Sequence, residues 1–412
     1  MPDRRYRVLM VASHPVQYMS PVFREMARDP HLDIQVAYCS MQGAREAKDP
    51  GFGVSVKWDV PLFDGYPWIC IPNHSPHPGT ERFWGLLNPG IWKILQGDRF
   101  DVAVSFTGYA YASFWILVAA AKWRGVPLLF GTDATSMQSR SQKQWKVFLK
   151  RLLLPQIFRL ANTVIVPSSA GVEFVRTLGV PPERVVLTPY TVNNEWWIER
   201  SKRVDRAAVR GRWGIPENAS IALFCAKLQS WKRPLDLLRA FAKADLVGAY
   251  LVYAGDGPLM HTLESECGSL GISDRVRFLG FVNQSGLPEV YRSADLLVLP
   301  SDYEPFGVVV NEAMLCGCAV AVSDRVGARH DLIRSGKTGF VFPCGNVDAL
   351  AEILRGTLSN PLELADLSKA ALKRMETWTI RDNVAGMVDA ISRACSNHPI
   401  AGGEHPSELG EI

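Results

Sequence analysis

Short apolar runs recur along the chain, each followed by a longer segment of mixed polarity. Tyr6 to Ala12, Leu32 to Cys39, Asp101 to Ser105, Val126 to Gly131 and Thr163 to Pro167 carry few polar positions. Such runs are expected of strands covered on both faces of a parallel sheet. Pro21 to Arg28 is the helix expected after the first run, and helical segments separate the others. A second series begins near Ser220, with strands expected at Ile221 to Ala226, Ala249 to Ala254, Val276 to Leu279, Asp295 to Pro300 and Ala319 to Ser323. This alternation predicts an α/β chain built as two Rossmann-like halves with right-handed crossovers, facing each other across a cleft lined by the C-terminal edges of both sheets. The charged and aromatic stretch Asn193 to Gly214 reads as the linker, dividing residues 1–195 from 196–376. Ser40 to Gly97 is rich in Pro, Gly and Trp and has few periodic segments, so it is expected to be a functional insertion. No short tandem repeat is visible.

Composition narrows the picture little. The chain of 412 residues, 47% hydrophobic and 21% charged, is long enough for two or three ordinary globular cores. Its net charge of +4 gives no ground for general nucleic-acid binding. The eight cysteines are scattered without a CxxC pair, and Cys316 and Cys318 sit in an apolar run as small core residues, a usage that fits a reducing cytosol. The amino terminus has basic residues before a hydrophobic run. That run is short, ends in His14-Pro15 and lacks a small-residue cleavage site, so a first strand is expected rather than a signal peptide. Ala110 to Ala121 is too short to span a bilayer. The Gly/Pro/Glu-rich tail, residues 396–412, is expected to be disordered.

The chemistry concentrates where Asp295 to Pro300 ends. The loop Ser301-Asp302-Tyr303-Glu304-Pro305 follows, and Phe306 to Leu315 reads as a helix start with Pro305 in its first turn. Gly307 would let a ligand approach the free N–H groups there. Two carboxylates frame this corner: Glu304 in the loop and Glu312, expected about two turns into the helix. A strand's C-terminal end meeting a helix N-terminus is the usual ligand position in open α/β sheets. Just after the first strand of this half, AKLQSWKRP places Lys227 and Lys232 in a strand-to-helix loop, where two ammonium groups can neutralise a diphosphate. Taken alone, such lysines are as well read as solvated surface. Gly255-Asp256-Gly257-Pro258, at the end of the next strand, is by itself only a turn signature.

Together the pieces are specific. AKL-x3-K, GDGP, the Gly280-Phe281 turn, ADLLVLPS-x3-EPFG-x4-E and TGFVFP at Thr338 to Pro343 resemble, in order and spacing over about Ile221 to Pro343, the family 4 retaining glycosyltransferases of GT-B architecture. Glu183 to Asn193 looks like the same family's approach to the hinge; elsewhere in the first half the resemblance is weaker.

The resemblance implies a nucleotide-diphosphate-sugar donor as co-substrate, with no other cofactor. Lys227, where the family usually has Arg, and Lys232 would bind the diphosphate and stabilise its charge as it leaves. Glu312 would accept hydrogen bonds from the ribose hydroxyls, and Glu304 would address the donor sugar. Phe306 and Gly307 would present backbone N–H groups, and Gly255 belongs to the same donor side. Both glutamates are expected to act as charged acceptors that need no raised pKa. A helix-terminal acid complementing the dipole is the plain alternative for Glu304. No Asp-x-Asp occurs, Asp302-Tyr303-Glu304 being the nearest substitute, so metal-independent transfer is expected.

The first half departs from the family. Where many relatives carry a Gly-Gly loop, this chain reads His14-Pro15-Val16-Gln17-Tyr18, which puts donor contact in doubt and leaves His14 or Gln17 open to an acceptor-facing role. In Thr132-Asp133-Ala134-Thr135, Asp133 stands where relatives have a His or Asp near the reacting carbon; a helix N-cap is the alternative. Retaining transfer by same-face attack and by a covalent sugar intermediate both remain open. Ser40 to Gly97 would form an acceptor-side surface, and Trp378 to Ser392, within residues 377–395, would cross back to the first half.

From Ala134 to Val172 there is no acidic residue, while Arg140, Lys143, Lys146, Lys150, Arg151 and Arg159 are basic and Trp145, Phe148, Leu149 and Leu152 are apolar. Such a segment, residues 139–161, suits an anionic membrane surface, against the alternative of a helix packed on its own domain. The expectation is a cytoplasmic, membrane-peripheral hexosyltransferase with a glycan or lipid-linked acceptor in polysaccharide or glycoconjugate assembly. A GT-B epimerase or phosphorylase, and a non-catalytic sugar-nucleotide-binding partner of an assembly complex, are the rival readings.

Overall fold

The computed structural model describes residues 4–49, 51–137 and 144–396, with the side chains of 48 and 144–146 left aside. Arg140 and Lys143 and the tail expected to be disordered, apart from its first residue, Ser396, lie outside the described residues.

The first sheet is parallel throughout. Its strands are β1 (Tyr6–Ala12), β2 (Leu32–Tyr38), β5 (Trp68–Cys70), β6 (Val102–Phe106), β7 (Leu128–Gly131), β8 (Thr163–Val166) and β9 (Val185–Leu187). Their order is β5-β2-β1-β6-β7-β8-β9. Between β2 and β5, the chain forms the small antiparallel hairpin of β3 (Ala47–Lys48) and β4 (Ser55–Val56). The second sheet, also parallel, comprises β10 (Ser220–Cys225), β11 (Ala249–Ala254), β12 (Val276–Gly280), β13 (Leu296–Leu299), β14 (Ala319–Ser323) and β15 (Phe340–Phe342). It is ordered β12-β11-β10-β13-β14-β15. Each sheet thus reverses its strand order once, next to its first strand, which is the doubly wound pattern.

The apolar runs are buried for the reason the pattern implied: Leu296 to Leu299 and Val8 to Val11 have no exposed surface. One packed cluster lies on each face of each sheet. β5, β9 and β15 were not anticipated as strands. Each has only three residues, too short for a periodic signal.

The stretch read as a linker proves to be two helices, Asn194–Lys202 and Arg206–Arg212. Trp197 and Val209 are buried, and Arg210, although charged, is 2% exposed. Arg210 donates to Asp295 at 2.8 Å and to the carbonyls of Ser293, Glu217 and Ala219, while Arg206 also pairs with Asp295. The charges that suggested solvent instead fasten this pair of helices to the second sheet.

The chain crosses between halves twice, near Tyr190 and near Trp378. The Tyr190 carbonyl accepts from Asn311 Nδ2 at 2.9 Å and from Trp378 Nε1 at 2.8 Å. Beyond the second crossing, the helix Ile380–Ser396 buries Val384, Met387, Ile391 and Ala394 against Val8, Met10 and Val104 of the first sheet.

Candidate functional site

β10 and β13 are neighbours at the point where the second sheet's order reverses, so the loops after them diverge and leave a crevice. The loop after β10 carries Lys227 and Lys232, and the loop after β13 carries Glu304 to Gly307. Gly255 explains how the first loop is seated: a Cβ there would stand 2.0 Å from the Ala226 carbonyl oxygen, so only glycine lets the end of β11 lie against Ala226.

The helix after β13 begins later than its sequence suggests, at Val309 rather than Phe306. Gly307 has a φ of +97°, a left-handed conformation that cannot belong to a right-handed helical turn. Pro305 therefore lies in a tight loop and not in a first helical turn. That loop is held by Gly327 N–H donating to the Glu304 carbonyl at 2.9 Å and Ala328 N–H to the Phe306 carbonyl at 2.8 Å. The Phe306 side chain is buried, stacked on Trp378 with centroids 6.2 Å apart and meeting Tyr190 edge-on, so it braces the hinge and leaves its backbone to the crevice.

The late start moves Glu312 into the first helical turn, where it is 4% exposed. The Tyr291 hydroxyl donates to Glu312 Oε2 at 2.7 Å. Burial pushes the Glu312 carboxyl up to about 7, against hydrogen bonds from Tyr291 and Gln284 that lower it. The expectation of an unperturbed carboxylate is thus corrected for Glu312: desolvation in the apolar wall outweighs its two partners.

Both lysines are paired with carboxylates. Lys232 pairs with Glu304, both side chains being largely shielded from solvent. Lys227 Nζ lies 2.7 Å from Asp49 Oδ1 and 4.6 Å from the Phe52 ring centroid, both in the segment between β2 and β5. Burial raises the Asp49 carboxyl, but Lys227 and the Phe52 and Gly51 amides outweigh it and hold it below its ordinary range.

A cavity of about 330 Å³ joins Lys232, Glu304, Phe306, Gly307, Glu312 and Gly255 to Gln17, Tyr18, Asp133 and Tyr190 of the first half. Asp133 is exposed to this space. Burial, then the nearby Asp133 and Glu304 carboxylates, hold the Tyr18 hydroxyl well above its ordinary pKa, and all three side chains line the same cavity. A second cavity of about 410 Å³ continues past Asp133 to His14, Tyr109 and Lys150. His14 faces the cleft. Its imidazole pKa is lowered by burial, then raised by Asp49 and lowered by Lys227. The glycine-free loop after β1 reaches the cavity shared with the second half, through Gln17 and Tyr18.

Lys232, Glu304 and Glu312 thus line one cavity with Asp133 of the opposite half, while Lys227, on the same loop as Lys232, is held by Asp49. Sequence reasoning missed Asp49, Phe52, Tyr18 and Tyr291. Asp49 had a signal, since Asp-Pro-Gly-Phe-Gly marks a side-chain-capped turn. Tyr18 and Tyr291 had none beyond being aromatic. Among the described residues, no three His, Cys, Asp or Glu side chains gather as a metal-binding group.

This arrangement has relatives. The family model for glycosyl transferases group 1 matches residues 205–374, and that for the glycosyl transferase 4-like domain matches residues 6–191. The chain belongs to the group 1 glycosyltransferase family. A D-inositol 3-phosphate glycosyltransferase from Streptomyces scabiei is 32% identical over 257 residues, 59% of this chain and 56% of that protein. A D-inositol 3-phosphate glycosyltransferase 2 from Catenulispora acidiphila is 34% identical over 233 residues, 54% of this chain and 53% of that one. The chain therefore spans about half the length of the curated relatives it matches. Among solved structures, Anabaena Alr3699/HepE in complex with UDP and glucose superposes with a TM-score of 0.71 at 19% identity, covering 94% of this chain and all of that one. WaaG, a glycosyltransferase involved in lipopolysaccharide biosynthesis, gives 0.64 at 18% identity, covering 93% and 99%. Family and fold agree: the two facing sheets are a GT-B fold.

Proposed function

We propose that the protein transfers a hexosyl group from a nucleotide-diphosphate-sugar, with retention of configuration and without a metal, to a glycan or lipid-linked acceptor. The observation that carries this reading is the cavity that Lys232, Glu304 and Glu312 share with Asp133, with Lys227 on the same loop as Lys232. Two ammonium groups suit a diphosphate leaving group, and a carboxylate accepts paired hydroxyl hydrogens from a ribose or sugar diol. The similarity to a protein solved with UDP and glucose makes UDP the first nucleotide to test. Thermal-shift screening with UDP, GDP, ADP and their sugars should identify a stabilising nucleotide. Donor hydrolysis or transfer should then be lost in Glu304→Ala while nucleotide binding persists; loss of both, or of neither, contradicts the assignment. Activity that EDTA abolishes and Mn²⁺ restores contradicts metal independence.

The membrane reading belongs to the same proposal. The helix Gln144–Arg159 buries Leu154, Ile157 and Phe158 in the first half yet leaves Phe148, Leu149, Leu152 and Leu153 exposed, beside Arg151 and Arg159. Lys150 lines the Asp133 cavity, so it is withdrawn from the basic face expected of it. Among the described residues no helix is long and apolar enough to cross a membrane. All eight cysteines are free thiols, which supports a reducing, cytoplasmic setting. Sedimentation with anionic but not neutral vesicles at low salt is expected, and indifference to lipid charge rules this surface out.

A further inference from the structure

The segment between β2 and β5 leaves the first sheet and lands on the second half. Asn283 Nδ2 donates to the Lys57 carbonyl at 2.7 Å, and the Ser285 backbone N–H and hydroxyl donate to Asp59, the former at 3.0 Å. Nearer its tip, Phe52 meets Phe281 edge-on with centroids 4.8 Å apart, and Asp49 holds Lys227. Asp49 Oδ1 also accepts the Gly51 and Phe52 amides at 2.7 and 2.9 Å, so the carboxylate and the ring form one rigid turn.

The charges here are already balanced. Lys232 is met by Glu304 and Lys227 by Asp49, so both ammonium groups assigned to a donor diphosphate carry a carboxylate partner before any donor arrives. A diphosphate adds anionic oxygens that compete for the same N–H donors and repel both carboxylates. Of the two, Glu304 is fixed by its backbone bond to Gly327 and its bridge to Val326. Asp49 stands on a hairpin of only two residue pairs, Ala47 with Val56 and Lys48 with Ser55.

Resting on the donor reading above, we infer that Asp49 is a donor-competing residue: it occupies Lys227 where the diphosphate must bind, and donor binding lifts Asp49 and Phe52 away while Lys57 and Asp59 keep the strap anchored. Donor affinity is then set by an exchange of anions on Lys227. The same turn lines a cavity of about 850 Å³ with His14, Trp58 and Arg82, so the exchange also reshapes the space beside the first strand.

Calorimetric titration with UDP, GDP and ADP tests this. For the nucleotide that binds, Asp49→Asn should tighten binding roughly fivefold, the scale of a partly exposed ion pair. Lys227→Ala should weaken binding and abolish the gain from Asp49→Asn in the double variant. Amide exchange over 51–56 should quicken in the wild type when that nucleotide is added. Equal or weaker binding by Asp49→Asn, or unchanged exchange over 51–56, overturns the inference and leaves the donor reading standing. Failure of all three nucleotides to bind folded wild type and folded variant overturns both.

Discussion

The two halves share a topology and differ in what they place where the strand order reverses. In the second half, β10 and β13 end in short loops whose backbones are pinned, by Gly255 against Ala226 and by Gly327 and Ala328 against the Glu304–Phe306 turn. The corner presents two lysines and two glutamates in fixed places. In the first half, the corresponding corner offers His14, Gln17 and Tyr18 after β1, then sends a long excursion from β2 to β5 across the cleft. One half gathers charged side chains on pinned loops; the other closes the cavity around them. A site that must hold a constant chemical group is made of short pinned loops, whereas long connections are where variable partners are met.

The sharpest way to break this contrast is to truncate one polar side chain in each corner and compare. Lys232→Ala in the pinned corner should lower kcat about 10²- to 10³-fold, the usual cost of losing one preorganised electrostatic partner. Gln17→Ala in the opposite loop should cost far less. Steady-state kinetics with the identified donor measures both, and equal losses would mean that the first half shares the diphosphate.

Stability offers a second contrast. Asp295 binds Arg206, Arg210 and the Ile221 amide at the base of the second half, 16% exposed. Asp295→Ala leaves Arg210 charged and buried, and should destabilise that half by about 3 to 5 kcal/mol. Asp59→Ala, removing an exposed contact to Ser285, should cost about 1 kcal/mol or less. Denaturant unfolding distinguishes them.

The same difference decides what could be read in advance. The longer strands of both halves were legible as apolar runs, and the second half's motifs were legible because each lies within one strand-to-helix connection, where residues close in sequence stay close in space. Lys232, Glu304 and Glu312 were singled out that way, and the structure brings them to one cavity. The Asp49–Lys227 pair joins residues 178 positions apart, and no local period announces such a contact. Helix boundaries failed where one backbone conformation decided them: Gly307 at positive φ displaced the helix start, and with it the depth of Glu312. The presumed linker misled for another reason. Arg206 and Arg210 look like solvent-facing charges until Asp295, just ahead of a distant strand, is seen to pair with both, Arg210 being buried.

Glu312 gives the effect most specific to the pinned corner. Its carboxyl titrates at about 7 in the folded chain against 4.5 for an ordinary glutamate, chiefly through burial. The raised value means that the fold favours the neutral acid. Its contribution to stability is full below about 4.5 and is lost as pH rises through about 7. Wild type should therefore lose melting temperature relative to Glu312→Gln between pH 5 and about 8, the reverse of a salt-bridged carboxylate. Nucleotide binding should run the other way. Ribose hydroxyls donate best to the charged form, so affinity should rise with pH towards and through about 7 and then level off, and Glu312→Gln should flatten that rise. If instead the slope survives in Glu312→Gln, the titrating group lies elsewhere.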